Sequence, residues 1–114
     1  MKVLSPLQAA RAAVSAHAGR PATAILHDTP DLRLVVFRLS PGEAVPPHRS
    51  ASTVMLTVLE GAGILAGQGD DQPDERWCVV GDHVTYAPSE LHDLRATDQE
   101  FIVLAAITPR PGSR

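Results

Sequence analysis

From Ala22 onward the chain is a series of short runs rich in Val, Ile, Leu and Thr, interrupted at close intervals by Pro, Gly and Asp. Runs of this composition and spacing are typical of strands in an all-β sandwich or barrel. We therefore predict a fold in which strands supply almost all of the regular structure. The predicted strands cover residues 22–27, 32–40, 53–60, 63–67, 76–80, 83–87, 91–95 and 101–108.

The amino-terminal segment has a different pattern from the rest of the chain. Ser5 can cap the free amide groups of a helix, and Pro6 is tolerated in a first turn, where its missing N–H has no cost. An alanine-rich stretch follows and ends at Gly19. We predict one α-helix in segment 1–20, packed on the barrel or on a partner subunit. A single barrel over residues 21–108 and a frayed tail over residues 109–114 complete the predicted organisation.

Composition excludes several classes of function. With 114 residues, the chain is long enough for one domain with its own core, and a formal charge of −3 offers no basic stripe for nucleic acid. No apolar stretch is long enough to span a bilayer, and no signal-peptide pattern is present, so a cytoplasmic location is expected. The lone Cys78 lies in an apolar run and is predicted to be buried and inert.

Side-chain alternation predicts which residues share a strand face. Residues two apart in a strand share a face, so His48 lies with Ser50, and His92 lies with Leu94. Arg49 falls on the opposite phase and is predicted to be a solvated rim residue. The candidate pocket residues on such faces are His48, Ser50, Val54, Leu56, Tyr86 and His92.

Two segments of the sequence carry glycine, histidine and proline at characteristic spacings. Gly42 is followed after five residues by His48 and later by Gly61, and Gly81-Asp82 is followed by Pro88 and His92. In length and partly in identity, these segments resemble the two half-motifs of the cupin superfamily, as found in small single-domain cupins. The resemblance implies an all-β fold of the cupin type, a double-stranded β-helix or jelly-roll barrel, here with one amino-terminal α-helix. It also implies that the faces carrying the candidate pocket residues point inward, so that an apolar interior faces two histidines.

The same resemblance implies a place for a metal ion. Position by position, the cupin ligands, three histidines and one glutamate, fall on His48, Ser50, Val54 and His92. Valine has no donor atom, and the neutral hydroxyl of serine is a poor ligand, while stable sites normally need three protein donors. We expect only His48 and His92 to contact a divalent metal such as Zn, Ni, Fe or Mn, with weak binding or none.

Three functions follow from these residues. The first is a barrel that binds a small molecule in a two-histidine pocket. The second is a metal-dependent cupin enzyme of the dioxygenase, isomerase or decarboxylase type that uses His48 and His92. The third is a structural dimer with a vestigial pocket filled by its own side chains. A homodimer is expected in each case, because the edge strand predicted over residues 22–27 would otherwise expose unpaired backbone groups.

Overall fold

The structure is a computed structural model that describes residues 1–112. These residues form one helix and seven strands, which confirms the prediction of an all-β fold with a single amino-terminal helix. The elements are α1 (Pro6–Ala12), β1 (Ala22–Asp28), β2 (Arg33–Leu39), β3 (Ala44–His48), β4 (Thr53–Gln68), β5 (Pro73–Val79), β6 (His83–Tyr86) and β7 (His92–Thr108).

All strand pairs are antiparallel, and the two longest strands hold the sheet together. The order is β1-β2-β7-β4-β5, with β3 paired to β7 and β6 paired to β4. The register between β4 and β7 shifts on both sides of Gly61. Gly61 has a φ of +72°, and a Cβ there would lie 1.9 Å from the backbone oxygen of Glu100. Glycine therefore permits the irregular pairing at the point where both long strands change partners.

Each long strand was predicted as two shorter ones, because Gly61 and the polar stretch 97–100 have the composition of turns. In the structure each is one strand, and residues 97–100 fall in the register shift between the Gly61–Phe101 and Gly63–Ala96 pairs. The sequence did not predict β3, since Pro46 and Pro47 are unusual in strands. Within residues 1–112, β3 pairs only with β7, and an outer strand tolerates proline because one of its edges makes no ladder hydrogen bonds.

Two groups of buried side chains form the core. The larger lies inside the barrel, where Leu39, Val58, Phe101 and Val103 are fully buried. The smaller lies on the other face of β2 and β7, where Ala10 of α1 packs against Val36 and Ile102. The strand alternation that defines the barrel interior therefore also provides the surface on which the helix packs.

The helix is shorter than the sequence predicts. It ends at Ala12 rather than near Gly19, and Ala13 already has an extended backbone. The guanidinium of Arg38 donates hydrogen bonds to the carbonyl oxygens of Ala10 and Ala13, which satisfies groups that a longer helix would bond internally. Val14, 85% exposed, gains nothing by continuing the helix. No helix within residues 1–112 is long and apolar enough to cross a membrane.

Pro109 and Arg110, the first residues of the predicted tail, are held by hydrogen bonds and are not frayed. Ser52 donates its hydroxyl to the Pro109 oxygen at 2.5 Å, and the Arg110 N–H donates to the Pro30 oxygen at 3.1 Å. The Arg110 side chain also pairs with Asp28 at 3.4 Å. These contacts hold the start of the tail against the barrel. The remainder of the predicted tail, residues 113–114, lies outside the described part of the chain.

Candidate functional site

The structure brings His48 and His92 together. His48 is the last residue of β3, His92 is the first residue of β7, and the two are paired across these strands. Their ring centroids are 4.2 Å apart, with an angle of 61° between the planes. Residues more than forty positions apart in the sequence thus form one polar group at one end of the barrel.

Both imidazoles are oriented by their own backbone. Nδ1 of His48 lies 2.9 Å from the carbonyl oxygen of Pro46, and Nδ1 of His92 lies 2.9 Å from the carbonyl oxygen of Glu90. A carbonyl oxygen only accepts hydrogen bonds, so each Nδ1 carries the proton. In the neutral form of each ring, Nε2 is consequently left with a free lone pair.

The two histidines differ in their environment. His92 is only 4% exposed, whereas His48 is exposed at the rim. Burial lowers the pKa of His92, and the neighbouring imidazole of His48 lowers it further. The ring of Tyr86 stacks on His92 with a centroid distance of 4.6 Å. His92 is therefore held in place by packing, and its neutral form is favoured.

Next to the histidine pair lies a cavity of about 330 Å³. Most of its wall is apolar, and polar side chains are found mainly at its mouth, where Arg49 and Ser50 lie. The lining residues are Phe37, Val45, His48, Arg49, Ser50, Ala51, Val54, Leu56, His92, Leu94, Ala105, Ile107 and Pro111.

Five of the six predicted pocket residues are among those that line the cavity; Tyr86 is not. The Tyr86 side chain is buried against the far side of His92, where it acts as a packing partner. Burial also raises the pKa of its hydroxyl, which keeps the phenol protonated. The sequence missed Phe37, Ala105 and Ile107. Period-two alternation places them on interior faces of β2 and β7, but it does not show which end of the barrel is hollow.

A set of hydrogen bonds made by Arg49, which lines the cavity, and by Gln68 connects the segments next to the two histidines. Arg49 donates to the Ser89 oxygen at 2.7 Å and to Oε1 of Gln68 at 3.1 Å, and that same Gln68 oxygen accepts the Leu91 N–H at 2.8 Å. We call Arg49, Gln68, Ser89 and Leu91 the rim clamp. Arg49 is exposed, as predicted, but it also joins the segment after His48 to the segment before His92.

The donor set does not fit a tightly bound metal. Ser50 and Val54 stand where the cupin resemblance places the other two ligands. Within residues 1–112, no group of three or more His, Cys, Asp or Glu side chains could hold a metal ion. Two neutral imidazoles without a carboxylate also leave a divalent charge uncompensated in an apolar cavity. The pair can offer two nitrogen ligands to Zn, Ni, Fe or Mn, and no more.

A second cleft of about 400 Å³ lies beside the β4–β5 hairpin and shares His92 with the cavity. Its wall also includes Gln68 and Leu91 and the carboxylates Asp70, Asp71, Glu75 and Asp93. Arg95 forms ion pairs with Glu75 and, at 3.9 Å, with Asp93. Two of the four carboxylates are thus already paired with a cation from the protein itself. This cleft has the character of an ion-paired surface.

Comparison with known proteins supports the fold assignment. No protein-family model matches the chain, and no curated protein matches it. Among solved structures, an RmlC-like cupin from Desulfovibrio desulfuricans is similar over 96% of this chain and 97% of its own, with 26% identity and a TM-score of 0.76. A Klebsiella pneumoniae protein with a double-stranded β-helix domain is similar over 100% and 94%, with 20% identity and a TM-score of 0.79.

An enzyme is also among the similar structures. The DMSP lyase DddQ from Ruegeria pomeroyi matches 86% of this chain and 52% of its own length, with 20% identity and a TM-score of 0.70. At that identity the likeness shows a shared fold only. Taken together, the barrel and these structural matches show that the chain is a member of the cupin superfamily.

Proposed function

We propose that this cupin barrel binds a small, largely apolar molecule in the cavity, with His48 and His92 contacting its polar end and no tightly held metal between them. The observation that carries the proposal is the pair of imidazoles, 4.2 Å apart, on the wall of a 330 Å³ apolar cavity. Ligand sites are commonly concave, mostly apolar and provided with a few converging polar groups.

The volume of the cavity supports binding over a vestigial pocket. A vestigial pocket would be filled by the protein's own side chains, namely Leu56, Val58, Tyr86 and Leu94. Val58 and Tyr86 do not line the cavity, and Leu56 and Leu94 form part of its wall without filling it. An engineered apolar cavity of about 150 Å³ already binds benzene, so this cavity has room for a molecule of at least that size.

Titration with toluene tests the proposal. Toluene has no polar group, so its binding reports on the cavity alone. We expect the methyl NMR signals of Leu56, Leu94 and Ile107 to shift on titration, while those of Val14 and Val80, which are exposed and do not line the cavity, stay unchanged. The variant Ala105→Leu places a larger side chain in the cavity and should abolish the shifts.

If the wild-type lining signals do not respond to toluene, or if Ala105→Leu responds as the wild type does, the cavity is not a binding site. Metal content is tested separately by elemental analysis after dialysis against a chelator. The proposal expects much less than one transition-metal ion per chain. One tightly retained ion per chain would contradict it.

A second candidate, a metal-dependent enzyme, has one observation in its favour. Metal-ligating histidines commonly donate their second ring nitrogen to a carbonyl or carboxylate, and both His48 and His92 donate Nδ1 to a carbonyl. In this version a further ligand would come from the substrate. The variants His48→Ala and His92→Ala should then each abolish uptake of zinc, and unchanged uptake would refute it.

We further propose that the chain forms a homodimer. We also propose a cytoplasmic location, which the amino-acid composition supports. Among the described residues, β1 pairs with β2 alone and β5 pairs with β4 alone, so each of these strands has an edge without a strand partner. Exposed Ile25 lies on β1, and exposed Trp77 and Val79 lie on β5. Edge pairing between two copies would cover such groups. Sedimentation that shows a monomer at micromolar concentration would contradict the dimer.

A further inference from the structure

The geometry points to a chemical class for the ligand: we infer that it is a neutral hydroxy compound with an apolar body, such as a phenol or a small cyclic alcohol, whose O–H donates to Nε2 of His48 or His92. This inference rests on the proposed function, because it needs the cavity to bind. Beyond the proposed function, it specifies which polar group on the ligand contacts the histidine pair.

The first step concerns the hydrogen-bonding character of the pair. Both Nδ1 atoms donate to backbone carbonyls at 2.9 Å, so both neutral rings present Nε2 as an acceptor. Neither Nε2 accepts a hydrogen bond from a side chain or backbone group among residues 1–112. Two acceptors with no donor between them are complementary to a ligand that supplies a donor.

The second step concerns anionic ligands. A carboxylate has only acceptor atoms, so it would face the Nε2 lone pairs without a hydrogen between them. The cation among the lining residues is Arg49, and its Nη1 donates to the Ser89 oxygen and to Gln68. The Ser50 hydroxyl oxygen accepts the Ser52 N–H at 3.1 Å and keeps its own O–H as a donor. The two Nε2 acceptors therefore favour a neutral hydroxyl, and an anionic probe tests whether Arg49 and Ser50 attract an anion instead.

The third step concerns the rest of the ligand. Beyond the histidines the wall is hydrocarbon, with Phe37, Leu56 and Ile107 on different strands. An additional polar group on the ligand would be buried there without a partner, which is unfavourable. The volume of about 330 Å³ suits one ring with a short side chain.

Calorimetric titration with phenol, toluene and benzoate, carried out near pH 8, tests the inference. Free imidazole is neutral and phenol is protonated at that pH. The three probes share one ring and differ in offering a donor, no polar group or an anion. We expect phenol to bind about tenfold more tightly than toluene, the size of one net hydrogen bond, and benzoate to bind more weakly than phenol.

The variants His48→Leu and His92→Leu identify the acceptor, and His48→Leu carries little risk to folding because His48 is exposed at the rim. At least one of the two should reduce the preference for phenol over toluene. His83→Leu is the matched control. His83 is another exposed histidine, its ring contacts the hydroxyls of Thr57 and Thr85, and it does not line the cavity. Its substitution should leave the preference unchanged.

The outcomes separate this inference from the proposed function. If toluene binds as tightly as phenol, the cavity is a binding site but the hydroxyl inference is wrong. Tighter binding of benzoate than of phenol overturns the inference in favour of an anionic ligand. A phenol preference that persists in both His48→Leu and His92→Leu also overturns it. If none of the three probes binds, the proposed function itself fails.

Discussion

The interior of the barrel has two ends built from the same strands, and they differ in packing. At the packed end, Leu39, Val58, Phe101 and Val103 are fully buried and belong to one hydrophobic cluster. At the hollow end, the same strands β2, β4 and β7 surround a 330 Å³ cavity beside His48 and His92. The difference indicates that stability comes mainly from the packed end. The hollow end is free to serve binding.

The largest expected difference between the two ends is in the free energy of unfolding lost when a leucine is truncated at each end. Leu39→Ala opens a new void at the packed end and should lower the free energy of unfolding by about 4 kcal/mol. Leu94→Ala removes the same atoms from a side chain that already borders a cavity, so the loss should be about 2 kcal/mol. Urea denaturation measures both. Equal losses would mean that the two ends are equally packed.

Enlarging an alanine at each end gives the converse comparison. Ala96 is buried in the large cluster and lies opposite Gly63. Ala96→Leu should therefore overpack the interior and destabilise the chain by about 2 kcal/mol. Ala105→Leu can extend into the cavity and should cost less than about 1 kcal/mol. A larger loss for Ala105→Leu than for Ala96→Leu in thermal unfolding would contradict a hollow end.

The rim clamp should affect binding more than stability. Gln68→Ala removes the oxygen that bonds both Arg49 and the Leu91 N–H, so the two histidine-bearing loops should lose their fixed spacing. We expect phenol affinity to fall about threefold to tenfold, the effect of one or two exposed hydrogen bonds. Gln68→Glu keeps an acceptor at the same place and is the control. Equal affinity in all three proteins, measured by calorimetry, would show that the clamp does not position the site.

The smallest effect concerns pH. Burial first, and the adjacent imidazole second, lower the pKa of His92 below its ordinary value of about 6.5. The unfolded chain then binds a proton more readily than the folded one, so this residue's contribution to stability is complete above about pH 6.5 and is lost as the pH falls below it. His92→Gln should show a weaker decrease in melting temperature between neutral and mildly acidic pH. If the melting temperature of His92→Gln falls with pH as much as that of the wild type, His92 does not cause the loss of stability in acid.

The two ends also differ in how far the sequence predicts them. Period-two alternation correctly placed Val54, Leu56 and Val58 on the interior face, and motif spacing correctly brought His48 near His92. Local patterns suffice for such features because they depend on strand phase. The cavity does not follow from phase, since its volume depends on how side chains from three strands meet. The clamp likewise joins Gln68 to residues that are distant in sequence.

β3 and the helix show the same limit from another direction. Pro46 and Pro47 argue against a strand by propensity, yet β3 forms because only one of its edges pairs. The alanine-rich segment favours a long helix by propensity, yet the helix ends at Ala12, where Arg38 donates hydrogen bonds to the carbonyl oxygens of Ala10 and Ala13. Tertiary contacts override local preference in both places.

A crystal structure of the protein soaked with phenol tests the central claim most directly. We expect one ring in the cavity bounded by Phe37, Leu56 and Ile107, with its oxygen about 3 Å from Nε2 of His48 or His92. Anomalous scattering from a fully occupied metal between the two imidazoles would contradict the account. So would a cavity that stays without phenol while the ligand binds elsewhere on the protein.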